Sequence, residues 1–167
     1  MTQVETEIKL IIKRPDILKI RAQSDFTESR ITQIYLSSDS CTHRIRKRVY
    51  SDGKTVFQEN TKVRISPMSS IENEREIGED EFLELAKNIE QGTLPLMKTR
   101  RTFEYCGRTV ELDFYDAWEK TCILEIELGA ENEKVTLPEF IEVIKDVTGN
   151  KSYSNHTMAR KFPEEII

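Results

Sequence analysis

Glu5 and Glu7 stand two residues apart and lead into Lys9. Arg44, Arg46 and Arg48 form a second set at the same spacing, Glu72, Glu74 and Glu76 a third, Lys98 and Arg100 a fourth, Glu111 and Asp113 a fifth, and Glu125 and Glu127 a sixth. Carboxylates are hard oxygen ligands suited to Mg²⁺ or Mn²⁺, whereas Arg and Lys grip phosphate oxygens, Arg through two parallel hydrogen bonds and Lys as a point charge. Side by side, the two kinds of cluster offer the chemistry of a metal-chelated polyphosphate. With only His43 and His156 and no paired Cys, the chain lacks the soft ligands of a zinc site or an obvious catalytic triad.

A spacing of two is the side-chain period of a β-strand, so each set projects from one face of one strand. The alternate positions are apolar: Val4, Ile8, Leu10 and Ile12 in the first, Val110, Leu112 and Phe114 in the fifth, Leu124, Ile126 and Leu128 in the sixth. A solvated sheet face accounts for any one strand. Six strands of clustered like charge would repel unless opposite charge lies between them. A closed barrel with a charged lumen and its apolar faces turned out against helices meets that condition.

The elements that must position these residues are mainly strands, predicted at about 3–12, 30–37, 41–50, 54–64, 70–77, 95–106, 108–116 and 120–129. Short polar links such as Ser51-Asp52-Gly53 and Cys106-Gly107-Arg108 imply an antiparallel meander, and eight strands suffice for a barrel. Helical patterns run from Pro15 to Gln23, from Glu79 to Gln91 and from the capping-box-like Thr136-Leu137-Pro138-Glu139 to Gly149, with a short terminal helix over Ser152 to Lys161. The expected fold class is α+β, mainly β, as a single domain over 1–167.

Composition narrows the partners. Thirty acids against 25 bases give a net charge of −5, so no stable nucleic-acid complex is expected and any anion must be bound locally. No apolar run reaches membrane-span length and the polar start lacks signal-peptide character, which reads as a cytoplasmic protein without a membrane partner. Cys41, Cys106 and Cys122 read as ordinary thiols, and Asn155-His156-Thr157 as a glycosylation acceptor without a secretory context. Gly53-Lys54-Thr55 lacks the earlier Gly of a P-loop, the run Arg44–Arg48 alternates faces rather than forming a basic patch, and Trp118 reads as packing.

Glu5-Thr6-Glu7-Ile8-Lys9 has the form ExExK and resembles the opening motif of the CYTH superfamily, the triphosphate tunnel metalloenzymes. The later segments are similar to family motifs in family order: Gln33-Ile34-Tyr35-Leu36, Arg44-Ile45-Arg46, Lys62, Glu74-Arg75-Glu76, Lys98-Thr99-Arg100, Glu111-Leu112-Asp113, Glu125-Ile126-Glu127 and Tyr153-Ser154-Asn155.

The resemblance implies an eight-stranded antiparallel tunnel that binds triphosphate-containing substrates with Mg²⁺ or Mn²⁺. It implies metal ligands among Glu5, Glu7, Glu74, Glu76, Glu111, Asp113, Glu125 and Glu127, and phosphate contacts from Lys9, Arg44, Arg46, Lys62, Lys98 and Arg100. Glu5 and Glu7 would serve catalysis, Tyr35 and Lys98 could form a proton-handling pair, and Arg160 with Lys161 could close the tunnel mouth. One departure stands out: Glu72 takes a place where the family commonly has arginine, after a long loop from Val63 to Ser70.

Among family activities, the short single domain looks most like the inorganic tripolyphosphatases. Nucleoside or thiamine triphosphatase, class IV adenylate cyclase and a non-catalytic polyphosphate or nucleotide-binding module are the alternatives. The expected partner is a small-molecule triphosphate or inorganic polyphosphate, bound by a monomer or homodimer.

Overall fold

The computed structural model describes residues 2–167. Strands β1 (Thr2–Lys13), β2 (Ser24–Leu36), β3 (Thr42–Tyr50), β4 (Thr55–Arg64), β5 (Ser69–Ile77), β6 (Leu96–Tyr105), β7 (Arg108–Phe114) and β8 (Thr121–Glu127) all pair antiparallel. Their order is β5-β4-β3-β2-β6-β7-β8-β1, and β1 returns to β5 to close the barrel. Closure follows from turns the sequence makes easy. Tyr105 pairs with Arg108 across Cys106 and Gly107, whose φ angles of 50° and 73° are those of a tight primed hairpin turn.

The apolar alternates face outward as expected. Leu10, Ile12, Val110, Leu112, Phe114, Leu124 and Ile126 form one core with Ile20 of helix α1 (Ile17–Arg21), covered further by Val135, Leu137, Phe140 and Ile141. Asp16 caps α1 by accepting a hydrogen bond from the Leu18 N–H. On the other side, helix α2 (Glu79–Ala86) packs Phe82 against Leu36, Ile45 and Ile77.

Three expectations are corrected, two by one cause. The segment 136–149 is not helical: Val143–Asp146 is a ninth strand, β9, paired with β1. Beyond Thr6, β1 leaves β5, and its exposed backbone groups need partners. β9 supplies them with the help of bonds from Val147 N to Lys9 O and from Lys13 N to Glu142 O. That demand overrides the local capping signal, and Val143 and Ile144 suit a strand. Likewise α2 ends at Ala86 rather than Gln91, because Ser37 N bonds Asn88 O and Glu90 N bonds Tyr35 O along the end of β2. Thirdly, β2 starts at Ser24, six residues early, since its polar first half pairs with β6.

A 3₁₀ turn (Lys151–Tyr153) and helix α3 (Asn155–Arg160) close the chain against one end of the barrel. There the inward positions turn apolar. Ile11, Leu96, Tyr115 and Ile123 meet Trp118, Tyr153, Met158 and Ala159 in a buried plug. Trp118 donates its indole N–H to Pro163 O, so it is a packing residue as read. None of the described helices is long and apolar enough to cross a membrane.

Candidate functional site

Above the plug, the inward faces of the strands enclose a cavity of about 610 Å³. Strand register alone brings the charges together: Lys9 lies opposite Glu125, Glu111 opposite Glu125, Arg100 opposite Asp113, and Lys62 opposite Glu72. Two ion-pair networks result on opposite walls.

The first spans β1, β6, β7 and β8. Arg100 reaches Glu111 at 2.5 Å, Asp113 at 2.7 Å and Glu125 at 3.1 Å, while Lys9 Nζ meets Glu125 at 2.9 Å. Burial opposes ionisation of Asp113 and Glu125, but Arg100 with Lys98 holds Asp113 below the ordinary carboxylate range, and Lys9 with Arg100 does the same for Glu125. Lys98 and Asp113 sit beneath the cavity rather than in its lining. Burial, then the Arg100 charge, lowers the Lys98 ammonium to about 8.

The second network spans β3, β4 and β5. Glu72 takes Lys62 at 2.6 Å, Arg44 at 3.7 Å and the Asn60 amide at 3.0 Å, and Gln58 donates to Glu74 at 2.9 Å. Against burial, Arg44 and Lys62 hold Glu72 down at about 2. Burial and the neighbouring Glu72 charge push Glu5 up to about 7, and burial with Glu125 raises Glu7.

Arg46 lies between the networks. It makes no ion pair among the described residues, and its buried Nε has no hydrogen-bond partner. Burial, with the charges of Arg44 and Arg100, lowers its guanidinium to about 10. Tyr35 also lines the cavity, its hydroxyl accepting from Gln33 Nε2 at 2.6 Å and its ring tilted by 30° against that of His156, with centroids 4.7 Å apart. His156 is itself held by Glu90 at 2.5 Å.

Of the residues singled out from sequence, Glu5, Glu7, Lys9, Tyr35, Arg44, Arg46, Lys62, Glu74, Arg100, Glu111, Glu125 and Glu127 line the cavity. Glu76 is exposed and outside the lining, and Arg160 turns away to Glu90 at 3.0 Å. The α3 side of the cavity is lined instead by Ser154 to Thr157 and the 147–151 turn. There Gly149, at φ +71°, comes so near Pro67 that a Cβ would lie 2.9 Å from the proline Cβ.

Arg48 and Glu72 belong to the charged sets but had no site role assigned from sequence, and Gln58 and Asn60 were not singled out at all. Gln58 and Asn60 share the face of Lys62 at a spacing of two, the signal already used for the charged strands. Among the described residues no three His, Cys, Asp or Glu side chains converge as a ready-made metal cage.

A closed antiparallel barrel with inward charges around one cavity is the tunnel fold that the sequence resemblance implied. The same fold occurs in the inorganic triphosphatase NE1496, which is 23% identical over 95% of this chain and 99% of its own, at a TM-score of 0.58. PH1819 from Pyrococcus horikoshii OT3 is 24% identical over 74% of this chain and 78% of its own, at 0.55. A conserved hypothetical protein from Pyrococcus furiosus is 20% identical over 77% and 80%, at 0.56. At these identities the likeness establishes the shared fold. No protein-family model matches the chain, and no curated protein matches it.

Proposed function

We propose that the protein is a divalent-metal-dependent hydrolase of a triphosphate phosphoanhydride bond, with inorganic tripolyphosphate as its substrate. Arg46 carries the reading. A buried cation that makes no ion pair among the described residues, with its Nε and that of Arg44 both lacking a hydrogen-bond partner, is costly unless a ligand supplies the anion. A chain of phosphates does so, and Arg44, Arg48 and Arg100 lie in the same cavity to share it. The shared fold with an inorganic triphosphatase supports the same direction.

In this reading Lys9, Arg46 and Arg100 neutralise the phosphates and stabilise charge developing on the transferred group. Tyr35 is the cavity hydroxyl placed to hold a proton. Lys98, outside the lining, acts through Asp113 on the position of Arg100. The cofactor is Mg²⁺ or Mn²⁺, and the donors fit it in kind: Glu5, Glu7, Glu111, Glu125 and Glu127 offer oxygen, and no Cys lines the cavity. They fit it in energy too, since Glu5 and Glu7 are pushed toward protonation, a cost that bound cations remove. When bound, the metal would screen the phosphate charge and lower the pKa of an attacking water.

The test is a panel of tripolyphosphate, ATP, thiamine triphosphate and triphosphate-ended RNA with Mg²⁺ or Mn²⁺, following phosphate, pyrophosphate and cyclic AMP. Tripolyphosphate should be cleaved with a specificity constant at least about tenfold above that of ATP. EDTA should abolish turnover, and Glu7→Gln should cut it about 10²-fold or more. Full activity in EDTA would end the metal-dependent mechanism, and cyclic AMP as main product from ATP would replace hydrolysis by cyclisation.

A further inference from the structure

Glu72 already occupies one end of the cavity as a ligand would. It is 4% exposed on its side chain and lies across the β4–β5 ladder from Lys62. Its two oxygens take a lysine, an arginine and an amide: Lys62 Nζ at 2.6 Å, Arg44 at 3.7 Å and Asn60 Nδ2 at 3.0 Å. Those are the kinds of donor a phosphate group would engage. Paired with a lysine and an arginine, this carboxylate brings its own negative charge to that part of the cavity.

Stability alone gives no reason for this carboxylate. A buried ion pair adds little over an apolar pair of the same volume, because desolvation offsets the Coulomb gain. Its consequence for an anionic ligand is large, however. A phosphate arriving at Lys62 meets a cation already neutralised and a negative charge in the way. At Arg46 the carboxylates of Glu74 and Glu111 are near, but neither is in ion-pair contact with it among the described residues. The grip of the cavity is therefore lopsided.

We propose that Glu72 is a specificity-determining residue, a built-in counter-anion that fills the Lys62–Arg44 end of the cavity, so that a phosphate chain is held from the Arg46 side and its last phosphate only loosely. This rests on reading the cavity as a triphosphate site. Chain length beyond two phosphates then adds little affinity in the natural protein, and Glu72 is the reason.

Calorimetry in EDTA, where turnover is prevented, tests this with tripolyphosphate and pyrophosphate as probes. The natural protein should bind tripolyphosphate less than about tenfold more tightly than pyrophosphate. Glu72→Gln should tighten tripolyphosphate about tenfold and pyrophosphate about threefold or less, while Glu72→Asp should keep the natural ratio. Adding Lys62→Ala to Glu72→Gln should remove the gain.

In turnover with Mg²⁺, Glu72→Gln should lower KM without raising kcat. Equal tightening for both probes, or weaker tripolyphosphate binding in a folded Glu72→Gln protein, overturns the proposal for Glu72 alone. A natural preference for tripolyphosphate above about 100-fold overturns it without any variant. If neither protein binds tripolyphosphate in EDTA or turns it over with Mg²⁺, the triphosphate reading falls, and this proposal with it.

Discussion

Lys98 Nζ lies 2.6 Å from Asp113 Oδ2, and the two side chains are 0% and 1% exposed. Asp113 also accepts from Arg100 Nε and NH2, both at 2.7 Å. One carboxylate thus anchors two cations at the boundary between the charged cavity and the apolar plug, and Lys98 supports the site rather than facing it.

Removing that anchor should cost stability first. Asp113→Ala leaves Lys98 and Arg100 without their shared partner and should destabilise the protein by about 3–5 kcal/mol in urea unfolding. Lys98→Met should cost less, because Arg100 still pairs with Asp113, and should leave tripolyphosphate affinity within about threefold. Collapse of binding in Lys98→Met at unchanged stability would put the Lys98 ammonium on the ligand instead.

Arg46 should behave in the opposite way. Arg46→Ala removes a buried cation that has no ion pair among the described residues, so its melting temperature should hold or rise. Tripolyphosphate affinity should fall by about tenfold or more, the loss expected when charge-assisted hydrogen bonds are removed. Calorimetry and thermal unfolding on one preparation check both halves. A destabilised variant with unchanged affinity would make Arg46 a structural residue.

The barrel and its lumen were legible because one periodicity encoded both. Residues at a spacing of two, such as Arg44 and Arg46 or Glu125 and Glu127, declare a strand and the face that must be enclosed. What remained hidden depends on groups far apart in sequence. β9 forms because the second half of β1 lacks a partner, a need that no local pattern in 136–149 announces. Lys98 and Arg100 look alike in sequence, but only the depth at which the lumen turns apolar, set by Ile11, Leu96, Tyr115 and Ile123, separates the buried one from the one lining the cavity. The same holds for Arg160, whose direction is decided by Glu90 across the tail.

The carboxyl groups of β1 give the metal-free protein a pH signature. Glu5 is raised to about 7 by burial and by Glu72, above its ordinary value of 4.5. A raised folded-state pKa favours folding fully below the unfolded value and loses that contribution as pH rises through the folded one. Thermal stability in EDTA should therefore fall between about pH 5 and pH 8. Glu5→Gln should flatten the fall, and excess Mg²⁺ should reduce it. A Glu5→Gln profile that still parallels the natural one would assign the slope to other groups.

The tail offers the last prediction. Glu165 accepts hydrogen bonds from the backbone N–H groups of Glu119, Lys120 and Thr121 at 3.1, 2.6 and 2.7 Å, and from the Thr121 hydroxyl at 2.8 Å. Against slight burial, the Thr121 hydroxyl and these N–H groups hold its carboxyl at about 2. A depressed folded-state pKa stabilises above the unfolded value, and the contribution is lost as pH falls toward the folded one. Glu165→Gln should therefore lower the melting temperature at pH 7, with the gap to the natural protein closing as pH drops from 4.5 toward 2. The same clasp seats Phe162 against Tyr115 and Trp118, next to the helix whose Ser154 to Thr157 segment lines the cavity. Loosening it should raise KM for tripolyphosphate at pH 7 while metal dependence stays unchanged, and a variant that melts lower with unaltered KM would confine the tail to a structural role.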